Sequence, residues 1–242
     1  MNQKNPQVLS REHTLMIKYG APFLTLPNSI DTHFANIEKI PEHNVDWKDF
    51  NFDPNTNAEN GFLYRISRAI STRVNANYDG WPVDQVKESY KTFNGRPCFV
   101  EHNNSDPKRA RGVILASIYR ETKLNSGIID GSVYCLEELD ARTFPKLANA
   151  VMDGELNGVS MGADVQGTIC SACGKYASKP SEYCAHIPKL KGQMTTVYKN
   201  GRKIESRVWE NCIKPNFFEL SSVFDPADES SLIIKKFYKS RA

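Results

Sequence analysis

Apolar and polar side chains alternate at a period near two along Phe62-Leu-Tyr-Arg-Ile-Ser-Arg-Ala-Ile-Ser71, the pattern of a β-strand. Val83, Val86, Tyr90 and Phe93 instead recur at spacings of three and four. This predicts a helix over Trp81–Phe93, with Pro82 suited to its first turn and Asn94-Gly95 ending it. Pro97-Cys-Phe-Val-Glu-His102 reads as a short buried strand running into the polar loop Asn103–Arg111. Gly112–Tyr119 and Gly131–Glu137 read as two further strands around a turn at Asn125–Gly127. A second helix is expected over Asp140–Met152, with Phe144, Leu147, Ala148 and Val151 on its apolar face and Asp153-Gly154 stopping it. The stretch Asn157-Gly-Val-Ser-Met-Gly-Ala-Asp164 follows as a strand, and strands at Lys203–Trp209 and Asn216–Phe224 close the pattern. The first sixty or so residues are irregular. Pro22, Pro27, Pro41 and Pro54 break any long element, leaving short strands or turns at Leu15–Lys18 and Phe23–Leu26.

Many strands with few helices predict an α+β fold, a mostly antiparallel β-barrel, closed or partly closed and flanked by a few helices. The expected organisation is an irregular arm over 1–60, a barrel domain over 61–236 interrupted by a cysteine-containing insert at 168–192, and a short basic tail over 237–242. The chain has 242 residues, 40% hydrophobic and 24% charged, with a net charge of +3. That is enough for one good core and a small appendage. The small net charge and the lack of a clustered Lys/Arg stripe argue against a nucleic-acid adaptor. No apolar run approaches the roughly 20 residues that span a membrane. The first twenty residues lack the apolar core of a secretion signal.

Six cysteines are too few for a disulfide scaffold over this length, and three of them cluster, which points to metal binding in a reducing compartment. Cys170-Ser-Ala-Cys173-Gly174 offers two thiolates from one tight turn. Cys184-Ala-His186 offers a second pair, whose spacing suits an extended segment on which residues two apart share a face. The expected site is a closed, tetrahedral Zn2+ site of Cys170, Cys173, Cys184 and His186, with Cys212 as the substitute ligand if His186 faces away. Such a site is structural, because it has no open coordination position. Cys98 and Cys135 lie in apolar strands and read as core residues. Cys98 also falls four residues before His102, on the same face if the strand runs on.

Ser160 has glycines at 158 and 162, which leave its hydroxyl uncrowded. By itself this is most simply a buried strand with one small polar residue. A serine becomes a nucleophile only with a base in hydrogen-bond reach and a partner that fixes the tautomer of that base. Among the five histidines, His13, His33 and His43 lie in the arm and His186 with the cysteines. His102 alone ends a core strand.

The ordered set Phe99-Val-Glu-His-Asn-Asn104, Arg111-Gly-Val-Ile114, a helix, Leu156-Asn-Gly-Val-Ser-Met-Gly162 and Phe217-Phe-Glu-Leu-Ser-Ser-Val-Phe-Asp-Pro-Ala-Asp228 resembles the tailed-bacteriophage prohead (head maturation) proteases, themselves similar in fold to the herpesvirus assemblins. The resemblance covers about residues 60–235. It implies a serine endopeptidase with His102 as general base and Ser160 as nucleophile. The third member varies among relatives, and Glu219 is the expected acid here, with Asp164 and Asp225 as fallbacks. It further implies scaffold and major capsid proteins as substrates, with self-cleavage and a homo-oligomer as additional expectations. The expected location is the host cytoplasm, inside the assembling prohead. Neither membrane nor nucleic acid is expected as a partner. The cysteine insert lies outside the core protease pattern and would dock scaffold or capsid subunits. The alternative is a non-catalytic structural head protein on the same fold, with a zinc-stabilised docking hairpin.

Overall fold

The computed structural model describes residues 43–125, 127–199 and 202–240. The elements expected at Leu15–Lys18 and Phe23–Leu26 lie outside the described residues. In chain order the strands are β1 (Phe62–Ser71), β2 (Asp79–Gly80), β3 (Pro97–Val100), β4 (Gly112–Lys123), β5 (Ile129–Asp140), β6 (Gly158–Asp164), β7 (Gly167–Cys170), β8 (Tyr176–Ala177), β9 (Met194–Lys199), β10 (Arg202–Arg207), β11 (Glu210–Ile213), β12 (Asn216–Val223) and β13 (Ile233–Tyr238). The helices are α1 (Pro54–Asn57), α2 (Val83–Ser89), α3 (Pro145–Asp153) and α4 (His186–Leu190). The class is α+β and strands dominate. Two compact units emerge: a smaller one of Arg73–Val86 with Ala163–Pro215, and a larger one from the rest of the described chain.

The larger unit is built on a seven-stranded sheet, ordered β13-β1-β5-β4-β3-β12-β6, that curls into a half-barrel. Pairing is antiparallel from β13 through β3 and parallel between β3 and β12. Its two edges are tied at one end. Gly158 bridges Leu232, the Val159 N–H donates to Ser231 O at 2.9 Å and the Ile233 N–H to Asn157 O at 2.9 Å. β13 was not expected as a strand. Leu232-Ile-Ile-Lys-Lys-Phe-Tyr238 earns it by completing the outer edge of β1.

β1 departs from its half-buried pattern. Flanked by β13 and β5, it buries both faces, including Arg65, Ser67 and Arg68. Arg65 is tolerated because it is paired. Its Nε donates to Glu137 Oε2 at 2.9 Å, its Nη2 donates to the same oxygen, and its Nη1 donates to Ser222 Oγ at 2.8 Å. A buried cation without such partners would cost several kcal/mol. The first predicted helix forms as α2 followed by a tighter 3₁₀ turn at Tyr90–Phe93, and Phe93 stacks on Phe217 with ring centroids 4.2 Å apart. The second begins at Pro145 and ends at Gly154, whose left-handed φ of 82° caps it. In the segment read as an irregular arm, Val45 and Phe50 pack with Ile66, Tyr134 and Leu136. His43 is anchored through Nδ1 to Tyr134 Oη at 3.0 Å and through Nε2 to Thr122 Oγ1 at 2.9 Å.

The smaller unit holds a four-stranded sheet, β2-β11-β7-β8, and the β9–β10 hairpin. The strand expected at Lys203–Trp209 is present as β10, but it pairs with β9 rather than joining the large sheet. The two are neighbours in sequence, so their pairing closes only a short loop. The core here is thin: Cys170, Ala172, Ile187, Val197 and Val208. Lys191 is braced between two buried carboxylates, at 2.6 Å from Asp79 Oδ1 and 2.8 Å from Glu210 Oε2. Those acids sit opposite each other in the parallel β2–β11 pair.

Candidate active site and metal centre

β3 ends at Val100, and the next two residues leave the strand region together. Glu101 has φ 49° and His102 φ 51°. Two consecutive non-glycine residues in the left-handed region cost on the order of 1–3 kcal/mol each, so the surroundings must hold them. The Glu101 N–H donates to Ser222 O at 3.0 Å, while Glu101 Oε1 accepts the Phe224 N–H at 2.9 Å. The His102 N–H donates to Ser221 Oγ at 3.2 Å. All three bonds fasten the turn to β12 and its end.

This turn decides which face His102 serves. On a continued strand it would share a face with Cys98. Cys98 instead points toward Glu137, with Sγ 3.6 Å from Oε2, beside the Arg65–Ser222 network. Burial, reinforced by the Glu137 carboxylate, pushes its thiol well above the usual range. His102 is turned to the opposite face, where its Nδ1 lies 2.7 Å from Glu219 Oε1. Cys98 is therefore the core residue that its apolar strand suggests, and two left-handed residues remove the face it would share with His102 on an unbroken strand.

Glu219 is fully buried while the His102 side chain is 29% exposed. The second carboxylate oxygen of Glu219 accepts from Ser221 Oγ at 2.7 Å. A carboxylate on Nδ1 fixes the imidazole as the Nδ1–H tautomer and leaves Nε2 as the basic nitrogen. The fallback acids Asp164 and Asp225 are both exposed.

Ser160 reaches the same neighbourhood through β6. A Cβ on Gly158 would lie 2.6 Å from the Val223 carbonyl oxygen, and one on Gly162 would lie 2.7 Å from Glu219 Oε1. As β6 advances its neighbour on β12 recedes, so the two strands run antiparallel. Ser160 lies midway between the glycines and on the same face of β6, the strand next to β12 in the sheet. Val159, Met161 and Ala163 fill the other face and are buried. The glycines are thus required by close approach: a side chain at 162 would collide with the carboxylate and with the Phe218 ring.

The cysteine segment forms a second constellation. Donor atoms of Cys170, Cys173, Cys184 and His186 all lie within 4.8 Å of one another, a group that could hold a metal ion. Cys170 ends β7, the Gly174 N–H returns to Cys170 O at 2.9 Å, and Gly174 takes φ 71°, which makes the expected tight turn. The second pair differs from expectation. Ala185 is helical, with φ −61° and ψ −21°, and His186 opens α4, so a helical turn rather than an extended segment brings His186 Nδ1 to 3.7 Å from Cys184 Sγ. Cys212, the substitute ligand, is buried in β11 and is not a member of the group. Tetrahedral zinc holds its donors about 3.5–4 Å apart, so the set fits after small side-chain shifts.

Two features escaped the sequence reading. One is Ser221, which stands two residues after Glu219 and so shares its face, a signal available from strand periodicity. The other is the Arg65–Glu137 pair, which no local signal singles out, since β1 also carries Arg68 and β5 also carries Asp130, Glu138 and Asp140. Comparison with family models, with curated proteins and with solved structures finds no match for this chain. Among the described residues no helix is long and apolar enough to cross a membrane.

Proposed function

We propose that the protein is a serine endopeptidase of the prohead-protease type, cleaving scaffold and capsid proteins inside an assembling phage head in the host cytoplasm. The observation that carries this reading is a buried Glu219 carboxylate bonded to Nδ1 of a partly exposed histidine, with a glycine-flanked serine on the neighbouring strand. Ser160 attacks a peptide carbonyl as His102 Nε2 takes its proton. Glu219 holds the imidazole and stabilises the imidazolium that forms. His102 then returns the proton to the leaving amine, and water releases the acyl group by the reverse sequence. The backbone N–H groups near Met161 and Gly162 are the candidate oxyanion donors, a role worth about 3 kcal/mol each.

In this reading the Cys170, Cys173, Cys184 and His186 set holds a structural Zn2+. The bound ion would supply cross-linking of β7, its turn and α4, and no step of the reaction runs through it. The smaller unit then offers a docking surface for scaffold or capsid subunits. The test is co-expression with the scaffold and capsid proteins of the phage, wild type against Ser160→Ala, with fragments read by mass. Cleavage should vanish in the variant while circular dichroism stays unchanged. Processing that continues at the wild-type rate refutes the reading.

A further inference from the structure

Ser221 sits where a bystander would not need to be. Its hydroxyl donates to Glu219 Oε2 at 2.7 Å and accepts the His102 backbone N–H at 3.2 Å. It is fully buried, pairs with Phe99 across the parallel β3–β12 ladder, and stands on the strand next to the one that carries Ser160. The two groups it joins are the ones least able to hold themselves. One is a carboxylate taken wholly out of water, bonded among the described residues to His102 and Ser221. The other is a histidine in a left-handed conformation, which is uncommon for any residue but glycine.

We propose that Ser221 is a positioning residue of this site, a single hydroxyl that orients the Glu219 carboxylate and clamps the left-handed backbone of His102, so that the Nδ1–Oε1 bond forms in one geometry. The chemistry requires a short side chain that both donates and accepts. Alanine does neither. Cysteine keeps the shape but is a weak donor and acceptor. Threonine keeps the hydroxyl. Without the hydroxyl, Glu219 Oε2 loses a partner in a buried place, which is the costly way to break a hydrogen bond, and the part-buried His102 N–H loses one too. Ser222, the next residue, faces the other way to Arg65 Nη1 at 2.8 Å, so the two adjacent serines serve opposite faces of one strand.

This inference rests on the protease reading for its effect on rate, but not for its effect on the imidazole. The experiment therefore has two arms on the full chain. In the first, a fluorophosphonate probe labels the activated serine without need of a substrate. Wild type should label, Ser160→Ala should not, Ser221→Ala and Ser221→Cys should label about 10–100-fold more slowly, and Ser221→Thr should recover most of the rate. In the second, the Nδ1-bound proton of His102 is observed by NMR. A far-downfield resonance should be present in wild type and Ser221→Thr and absent in Ser221→Ala and Ser221→Cys. If wild-type Ser160 does not label, the protease reading falls, and the proton resonance still decides the role of Ser221. If Ser221→Cys, folded by circular dichroism, keeps both the labelling rate and the resonance, the positioning role is overturned.

Discussion

The two units use the same reactive residue types to opposite ends. In the larger one, long strands bury a core that includes Leu63, Ile66, Ile114, Leu136 and Phe217. With stability secured by that burial, the unit can hold two residues in strained backbone and place a histidine, an acid and a serine on a single face. In the smaller one the core is a handful of mostly small side chains. There the cysteines and His186 form the group that could hold a metal ion, and Lys191 is paired with the two carboxylates. Under the proposed function, a histidine beside a cysteine is structural in one place, and a histidine beside a glutamate serves chemistry in the other. The difference lies in what surrounds them and not in the side chains themselves.

The strongest way to break this contrast is at Glu219. Glu219→Gln keeps the shape but cannot stabilise an imidazolium, and it should lower the rate of Ser160 labelling or substrate cleavage by about 10²–10⁴-fold while unfolding in denaturant is little changed. An unaltered rate would remove the larger unit's claim to chemistry. Lys191→Met tests the other side. It strands Asp79 and Glu210 without their cation and should destabilise the smaller unit by about 3–5 kcal/mol. Hydrogen exchange across 163–215 would report it, with labelling at Ser160 as the control.

Metal removal sharpens the same point. Stripping by a chelator should expose 163–215 to limited proteolysis and leave the β1–β5 hydrogen bonds protected, and freshly purified protein should contain about one zinc per chain. Gly162→Ala comes next. The new Cβ meets Glu219 Oε1 at 2.7 Å, and displacing that carboxylate by a fraction of an ångström should slow the reaction by about 10²-fold at most. The smallest expected effect concerns His43. Burial, helped by the nearby Arg68 charge, lowers its pKa below the ordinary 6.5. A histidine whose folded pKa is depressed binds its proton more readily when unfolded. Stability is therefore fully present above about pH 6.5, falls as pH drops toward the folded value, and levels off below it. His43→Phe should flatten that slope in urea titrations between neutral and mildly acidic pH.

Much of the site was legible because it depends on local rules. Strand and helix periodicity located β1, β3, β4, β5, β6, β12, α2 and α3 within a few residues. The glycines around Ser160 signalled an uncrowded hydroxyl, and the Cys170–Cys173 spacing signalled a tight thiolate turn. The reading failed where a local pattern has two physical outcomes. Cys98 and His102 share a face on an unbroken strand and oppose each other once Glu101 and His102 turn left-handed. Cys184 and His186 converge on an extended segment or on a helical turn, and the helical turn is what forms. Lys203–Trp209 reads as a strand whichever sheet it joins.

The sequence by itself determined most element types, the serine–histidine–carboxylate candidates and the four residues that could hold a metal ion, because side-chain periodicity and donor chemistry are properties of short stretches. Only the tertiary structure decided that Glu219 rather than Asp164 or Asp225 meets His102, that Ser221 stands between them, and that Arg65 can be buried at all. Each of those depends on which strands are neighbours and in what register. Register is set by the summed burial of the whole sheet, to which no single stretch of the chain holds the key.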